Sequence, residues 1–425
     1  MKEKLAILGG KKFLNKDFRK YNTIGNEELE AATEVINSGV LSQFLGAESD
    51  DFLGGPKVKE FEAACREYFG VHYAITINSW TSGLVAAVGA LDIEPGDEII
   101  VSTWTMCASA SAILHWNAIP VFADIENETF NIDPESIKRN ISPRTKAIMP
   151  IDIFGHPANM EEIQKIADLN DLKIITDSAQ SPGASYKNKL AGTLSDIGGF
   201  SLNYHKHIHT GEGGILVTND LALAERMQLI RNHAEAVVGP RGISNLSNMI
   251  GHNFRLGEIE CAIGIQQLKK LDSLIESRQK TAYKLIEGLG ELEGLRMPVI
   301  KENCTHVFYM FPMILDVDYL GIDRTKIVEA LRAEGLQGIE EGYANIHMLP
   351  MYQEKQAYGS KGFPWTSDIC EREVNYSKGI CPVAEELHEK TFFAYEMCLH
   401  DLTDNDVDMI IGAFKKVWNS LDELK

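Results

Sequence analysis

The sequence predicts an α/β fold: a large domain over residues 1–275, with a mostly parallel sheet covered by helices and an N-terminal arm, and a smaller C-terminal α+β domain over 276–425. Three observations predict it. Strand-like and helix-like segments alternate between residues 73 and 218. Many of these strands are apolar on both faces, as strands of a parallel sheet buried between helices are. A long helical pattern over 256–286, through Ile259, Ala262, Ile263, Ile265, Leu268, Leu271 and Leu274, then bridges to the remainder.

In chain order, 26–38 has the periodicity of an amphipathic helix stopped by Gly39, and a Gly- and Asp-rich loop at 45–56 precedes a helix over 57–69. Strands are predicted at 73–77, 98–101, 120–123, 147–151, 173–176, 198–202 and 214–218. Helices are predicted at 81–91, 106–116 and 160–170. Beyond the bridge, 305–316 is strand-like, and 324–334 and 403–421 are helical. Repeats and low-complexity tracts are absent from the sequence.

The chain has 425 residues, enough for a large core and a second domain. With 41 basic against 61 acidic residues, its net charge of −20 argues against a nucleic-acid or anionic-membrane partner, while leaving room for an anionic small substrate in a locally positive pocket. The seven cysteines are scattered and form no C-x-x-C pair, so they read as isolated thiols in a reducing compartment. The N-terminus lacks the apolar core and cleavage site of a signal peptide, and no apolar run reaches membrane-spanning length, so cytoplasm is the expected location.

The chemistry is concentrated around Lys206. It lies six residues past Phe200 and five before Gly211-Glu212-Gly213-Gly214, between a strand-like run and a glycine-rich turn. A solvated surface lysine is the commonest fate of this residue type, but these flanks are not surface-helix sequence. A lysine nucleophile must be neutral part of the time, so burial or nearby positive charge has to lower its pKa from about 10.4. Upstream, Ile174-Ile175-Thr176 is an apolar strand ending in Asp177, with Gln180 three residues on. At the carboxyl end of a parallel strand an acid faces the crevice where α/β sheets bind ligands. Asp177 could equally begin a turn as an N-cap. A fixed amine and a fixed acid together point to pyridoxal phosphate, whose aldehyde bonds a lysine and whose ring nitrogen needs an acid beside it.

Asn78-Ser79-Trp80-Thr81-Ser82-Gly83 follows a strand and opens a helix, where N–H groups and hydroxyls favour a phosphate. Trp104 follows the next strand and could stack on a pyridine ring, although an isolated tryptophan there reads as core. Ser201 could donate a hydroxyl to the phosphate. Arg231, Arg241 and Arg255 are candidates for a carboxylate or diphosphate, and Tyr343 and His347 could face a substrate.

Taken in order, these elements closely resemble the DegT/StrS-type sugar aminotransferases, a family of pyridoxal-phosphate enzymes. The resemblance extends through Pro95-Gly96-Asp97-Glu98, Pro120-Val121-Phe122-Ala123-Asp124, Phe154-Gly155-His156-Pro157, Arg231-Asn232-His233, Asn253-Phe254-Arg255 and Cys381-Pro382-Val383. It implies the aspartate aminotransferase fold (fold type I) and a homodimer with shared active sites. It implies that Lys206 bonds the cofactor, Asp177 pairs with the ring nitrogen, Gln180 contacts the ring hydroxyl and Trp104 stacks. Ser201, Trp80 and Thr81 would hold the phosphate, with Asn253 reaching it from the other subunit. The implied reaction is a ping-pong transfer from L-glutamate or L-glutamine to a keto sugar, nucleotide-linked in most of the family and a keto-cyclitol such as scyllo-inosose in a subgroup. Related sugar dehydratases carry histidine at the lysine position, and a non-catalytic pyridoxal-binding regulator is a third reading. Two departures stand out. Trp80 replaces the family's glycine between Ser79 and Thr81, and the lysine loop carries His205, His207 and His209, of which at least two read as polar surface.

Overall fold

The computed structural model describes residues 3–425. The first helix, α1 (Asn26–Ser38), starts in a capping box in which Glu28 Oε2 accepts from Gly25 N at 2.7 Å. Next come α2 (Pro56–Phe69), β1 (Tyr73–Ile77), α3 (Trp80–Ala90), β2 (Glu98–Ser102), α4 (Ala108–His115) and β3 (Ile119–Ala123). They are followed by β4 (Thr145–Met149), α5 (Met160–Asn170), β5 (Lys173–Asp177), β6 (Ile197–Ser201), β7 (Gly214–Thr218) and α6 (Leu221–Arg231). The strands form one seven-stranded sheet in the order β1-β7-β6-β5-β4-β2-β3. Only β7 runs against its neighbours, pairing antiparallel with β1 and β6, so six strands point the same way. Their carboxyl ends therefore open on one edge, and that edge carries Asn78, Thr103, Asp177 and Ser201.

The 32-residue helix α7 (Glu258–Leu289) ties the molecule together. Near its start, Gln267 Nε2 and Lys270 Nζ donate to the buried Glu28 at 2.8 and 2.7 Å, docking α1. Cys261, Ile265, Leu268, Leu271 and Ile275 join the core under the sheet, whereas Ala282, Leu285 and Leu289 join a second core. That core packs against a four-stranded antiparallel sheet of β8 (Leu295–Arg296), β9 (Phe311–Leu315), β10 (Ile339–Glu341) and β11 (Phe392–Tyr395), with helices α8 (Arg324–Ala333) and α9 (Asp404–Trp418). Chain order and packing do not coincide. Leu5, Leu14 and Phe18 pack in this second core, while Ile346, Tyr352, Trp365 and Tyr376 pack with the large sheet. Among the described residues no helix is long and apolar enough to cross a membrane.

Several expected elements come out with other bounds. β4 ends at Met149, because Pro150 has no N–H to continue the ladder. α4 begins at Ala108 rather than at Met106. The strand expected over 305–316 is confined to Phe311–Leu315. Ahead of it the chain loops, with Phe308 in the left-handed region (φ 49°) and its ring stacked on His306 at 4.0 Å. Val307 N and Met310 N donate to Gly155 O and Phe154 O, which carries Tyr309 to the sheet edge.

Candidate active site

At the carboxyl edge of the sheet a cavity of about 200 Å³ is lined by Thr81, Met106, Asp177, Gln180, Ser201 and Lys206, among others. Lys206 stands on a loop closed at its base by Leu202 N to Gly213 O and Thr210 N to Leu202 O. The turn needs Gly211 at φ 86°, in the left-handed region. The lysine side chain is 8% exposed, and its Nζ lies 4.3 Å from the Tyr309 ring centroid. Burial is the main influence on this amine and brings its pKa down to about 8, against smaller opposing effects of Cys398 and Asp177. The condition for a lysine nucleophile is thereby met.

Asp177 is buried at the end of β5, on the wall of the cavity. Its Oδ1 accepts from Trp80 Nε1 at 2.7 Å and from Ala179 N at 3.2 Å, and its Oδ2 accepts from Ser109 Oγ at 2.8 Å. Burial raises its pKa, and the three donors work against that rise. Ser109 is itself 2.9 Å from Thr105 Oγ1. Because the Ser109 proton goes to Asp177, Thr105 is the donor in that pair. Gln180 Oε1 accepts from Phe154 N at 2.7 Å, and its Nε2 donates to Tyr343 Oη at 3.2 Å.

At the start of α3, Ser79 Oγ accepts from Ser82 N at 3.1 Å as N-cap. The N–H groups of Trp80 and Thr81 lie in the first turn, where no intrahelical acceptor exists. With the hydroxyls of Thr81 and Ser201 on the same cavity, this is an anion site at a helix N-terminus. Amine, acid and anion site share one cavity, so the residues fit pyridoxal phosphate.

The structure also relocates several residues that the sequence singled out. Trp104 does not reach the cavity: it is 0% exposed, packs among Phe130, Phe154, Tyr343 and Phe392, and donates to Asn345 Oδ1 at 2.6 Å. The side chains that this segment presents are Thr105 and Met106. The Trp80 indole turns away from the anion site to Asp177, leaving only its backbone N–H there. Arg231 is 0% exposed and binds Glu62 Oε1 at 2.7 Å and Thr76 O at 3.1 Å, so no carboxylate or diphosphate can reach it. His347 is likewise enclosed, between Thr103 Oγ1 at 2.5 Å and Glu385 Oε1 at 3.0 Å, and faces no substrate. Tyr343 sits behind Gln180. Asn253 is exposed, with Oδ1 accepting from Arg255 Nε at 2.7 Å, and Arg241 pairs with Glu48 on the surface. Of the loop histidines, His205 is exposed and His209 half-buried. His207 is fully buried and donates from Nε2 to Val307 O at 2.9 Å.

Sequence reasoning missed Ser109, Thr105 and Tyr309. Ser109 and Thr105 follow Trp104 in the segment past β2, and their hydroxyls become meaningful only once Asp177 is in place. A second cavity of about 670 Å³, walled by Tyr21, Tyr204, Tyr309, Met310 and Leu399, lies across His205, which lines both.

Known proteins resemble this chain over most of its length. GDP-perosamine synthase of Caulobacter vibrioides is 34% identical over 299 residues, covering 70% of this chain and 79% of its own. L-glutamine:2-deoxy-scyllo-inosose aminotransferase of Micromonospora echinospora is 29% identical over 434 residues, covering 99% of each. The X-ray structure of the aminotransferase from Psychrobacter cryohalolentis superposes with a TM-score of 0.79 at 27% identity, covering 96% of this chain and 100% of that one. Residues 22–391 match the sequence model of the DegT/DnrJ/EryC1/StrS aminotransferase family. The chain therefore belongs to the DegT/DnrJ/EryC1/StrS aminotransferase family and is a pyridoxal-phosphate-dependent aminotransferase.

Proposed function

We propose that this enzyme moves the amino group of L-glutamate or L-glutamine to the carbonyl carbon of a keto sugar, in two half-reactions that share one cavity. The observation that carries the proposal is a buried amine with a pKa of about 8 at Lys206, facing the same cavity as the buried carboxylate of Asp177. Lys206 Nζ is the point of covalent attachment. Asp177 would hold the proton of the ring nitrogen, Gln180 would meet the ring hydroxyl, and Thr81 and Ser201 with the α3 N-terminus would hold the phosphate. When bound, the cofactor supplies an aldehyde that carries the amino group and a ring that withdraws electrons from the reacting carbon.

As a free amine, Lys206 Nζ is poised near neutrality and able to take the proton from the donor α-carbon. The oxo acid leaves before the keto sugar enters, which gives ping-pong kinetics. The larger cavity beyond His205 combines the aromatic walls of Tyr21, Tyr204 and Tyr309 with the polar side chains of Lys20, Gln337 and Glu396, and offers the acceptor a place. Asn253 and Arg255 do not line the cavity of their own chain, which is consistent with their serving the site of a second subunit in a homodimer.

A keto-cyclitol acceptor is the second reading. It is favoured by end-to-end correspondence with the cyclitol aminotransferase, against partial coverage of the GDP-perosamine synthase. Against the dehydratase reading, in which a histidine takes the lysine position, the buried side chain on the cavity is Lys206, whereas His205 is exposed at its rim and the buried His207 does not line it. The test is to load the enzyme with the amino group from glutamate or glutamine and offer a panel of nucleotide-linked keto sugars and inososes. An aminated sugar is expected. Amination of the inososes alone would select the second reading, and failure of either donor to load the enzyme would overturn both.

A further inference from the structure

Trp80 occupies a slot made for it. A Cβ at Gly199 on β6 would lie 2.2 Å from the indole Cζ3, and one at Gly83, a turn further along α3, would lie 2.7 Å from its Cε3. A Cβ at Gly214 on β7 would lie 3.0 Å from the Trp80 backbone nitrogen. Gly199 and Gly83 thus leave room for one bicyclic ring, Gly214 leaves room for its backbone, and the ring ends with Nε1 2.7 Å from Asp177 Oδ1. An indole N–H can only donate, and in this slot it cannot turn away. Oδ1 has two lone pairs and receives two N–H groups, from Trp80 and Ala179. Oδ2 receives one hydroxyl, from Ser109, and keeps one lone pair.

We propose that Trp80 is a positioning residue for Asp177: its N–H, with that of Ala179, saturates Oδ1, holds the carboxylate in its charged form, and leaves Oδ2 as the oxygen that faces the cofactor's ring nitrogen. This rests on the reading of Asp177 as the partner of that nitrogen. Without the indole donor, a buried carboxylate with one acceptor site unfilled holds a proton more readily. The proton shared between ring and acid then moves from the nitrogen to the oxygen.

The experiment is ¹⁵N NMR of the enzyme loaded with pyridoxal phosphate labelled at the ring nitrogen. Three proteins are compared with wild type: Trp80→Phe, an isostere of Trp80 with sulfur in place of the indole N–H, and Asp177→Asn. Wild type is expected to show a protonated ring nitrogen. Both position-80 variants should shift that signal toward the neutral pyridine. They should also lower kcat for the donor half-reaction about tenfold with KM unchanged, as expected for loss of one hydrogen bond to a charged group. If Trp80→Phe does not fold, the isostere, which keeps the shape of the slot filled, decides. An unshifted signal in the folded position-80 variants, with Asp177→Asn shifted, overturns the role of Trp80 and leaves Asp177 standing. A signal unmoved by Asp177→Asn overturns both.

Discussion

Lys206 Nζ stands 4.3 Å from the centroid of the Tyr309 ring and, among the described residues, makes no hydrogen bond or ion pair. The ring stabilises the ammonium form, yet burial dominates and brings the pKa from 10.5 to about 8. In the cofactor-free protein the folded state therefore releases this proton near pH 8, while the unfolded chain keeps it to 10.5. Between those limits the unfolded state binds more protons, so stability rises with pH across the window, and below pH 8 the cost of burying the ammonium is present in full. Lys206→Met should be more stable than wild type at pH 7 by about 3 kcal/mol, the difference fading toward pH 10.5. Urea unfolding of both apoproteins at pH 7 and pH 10 checks this, and a pH-independent difference contradicts it.

Gly199 and Trp80 should be coupled. A methyl group at position 199 would meet the indole at 2.2 Å and the Ile215 carbonyl at 2.3 Å. Overpacking of this kind costs about 1–3 kcal/mol. Gly199→Ala is expected to lower the denaturation midpoint and to weaken the Trp80–Asp177 hydrogen bond. Adding Trp80→Phe removes the far ring of the indole, so the double variant should be more stable than the sum of the single changes by about 0.5–1 kcal/mol. A double-mutant cycle in denaturant measures it; strict additivity would mean that the two side chains do not share the slot.

What the sequence could show of the site follows from which residues depend on local order. Lys206, Asp177, Gln180, Thr81 and Ser201 lie at the ends of strands that periodicity alone places, and a mostly parallel sheet brings those ends to one edge. Trp104 also lies just past a strand end, but whether residue 104 or 106 faces the cavity turns on a local twist that no pattern encodes. Arg231 and His347 were misplaced because their partners, Glu62 and Thr103, lie 169 and 244 residues away. A charge or imidazole looks available in sequence until the fold supplies what satisfies it. The role of Trp80 was hidden in the same way, since its acceptor is 97 residues on.

Asp152 should make stability fall with rising pH. It is buried beside Asp177, and burial lifts its carboxyl from 3.8 to about 7, in spite of hydrogen bonds from Ser178 Oγ at 2.6 Å and Ala158 N at 2.8 Å. The folded state holds a proton that the unfolded chain has released above pH 3.8, so this contribution is complete below that pH and is lost as pH rises through 7. Asp152→Asn keeps the shape and stays neutral. It should flatten the stability profile between pH 4 and 7 and stabilise the apoprotein at pH 8 by about 1–3 kcal/mol. Thermal unfolding across that range tests it, and a profile with the wild-type slope would assign the slope to other groups.

Arg231 should matter for folding and not for substrate. Its guanidinium lies over the Phe44 ring at 4.8 Å and is paired with Glu62, which also accepts from Thr76 N and Thr76 Oγ1 at 2.9 Å each. Removing one partner of a buried pair leaves the other charge unpaired, at a cost of about 3–5 kcal/mol. Arg231→Ala is therefore expected to lower the urea midpoint strongly. Combining it with Glu62→Gln should recover part of the loss, because the stranded carboxylate is gone. In whatever fraction remains folded, KM for the amino donor should equal that of wild type, because this side chain touches neither cavity. A raised donor KM with unchanged stability would restore Arg231 as a substrate contact and would require the β1–α2 packing around Glu62 to open during turnover.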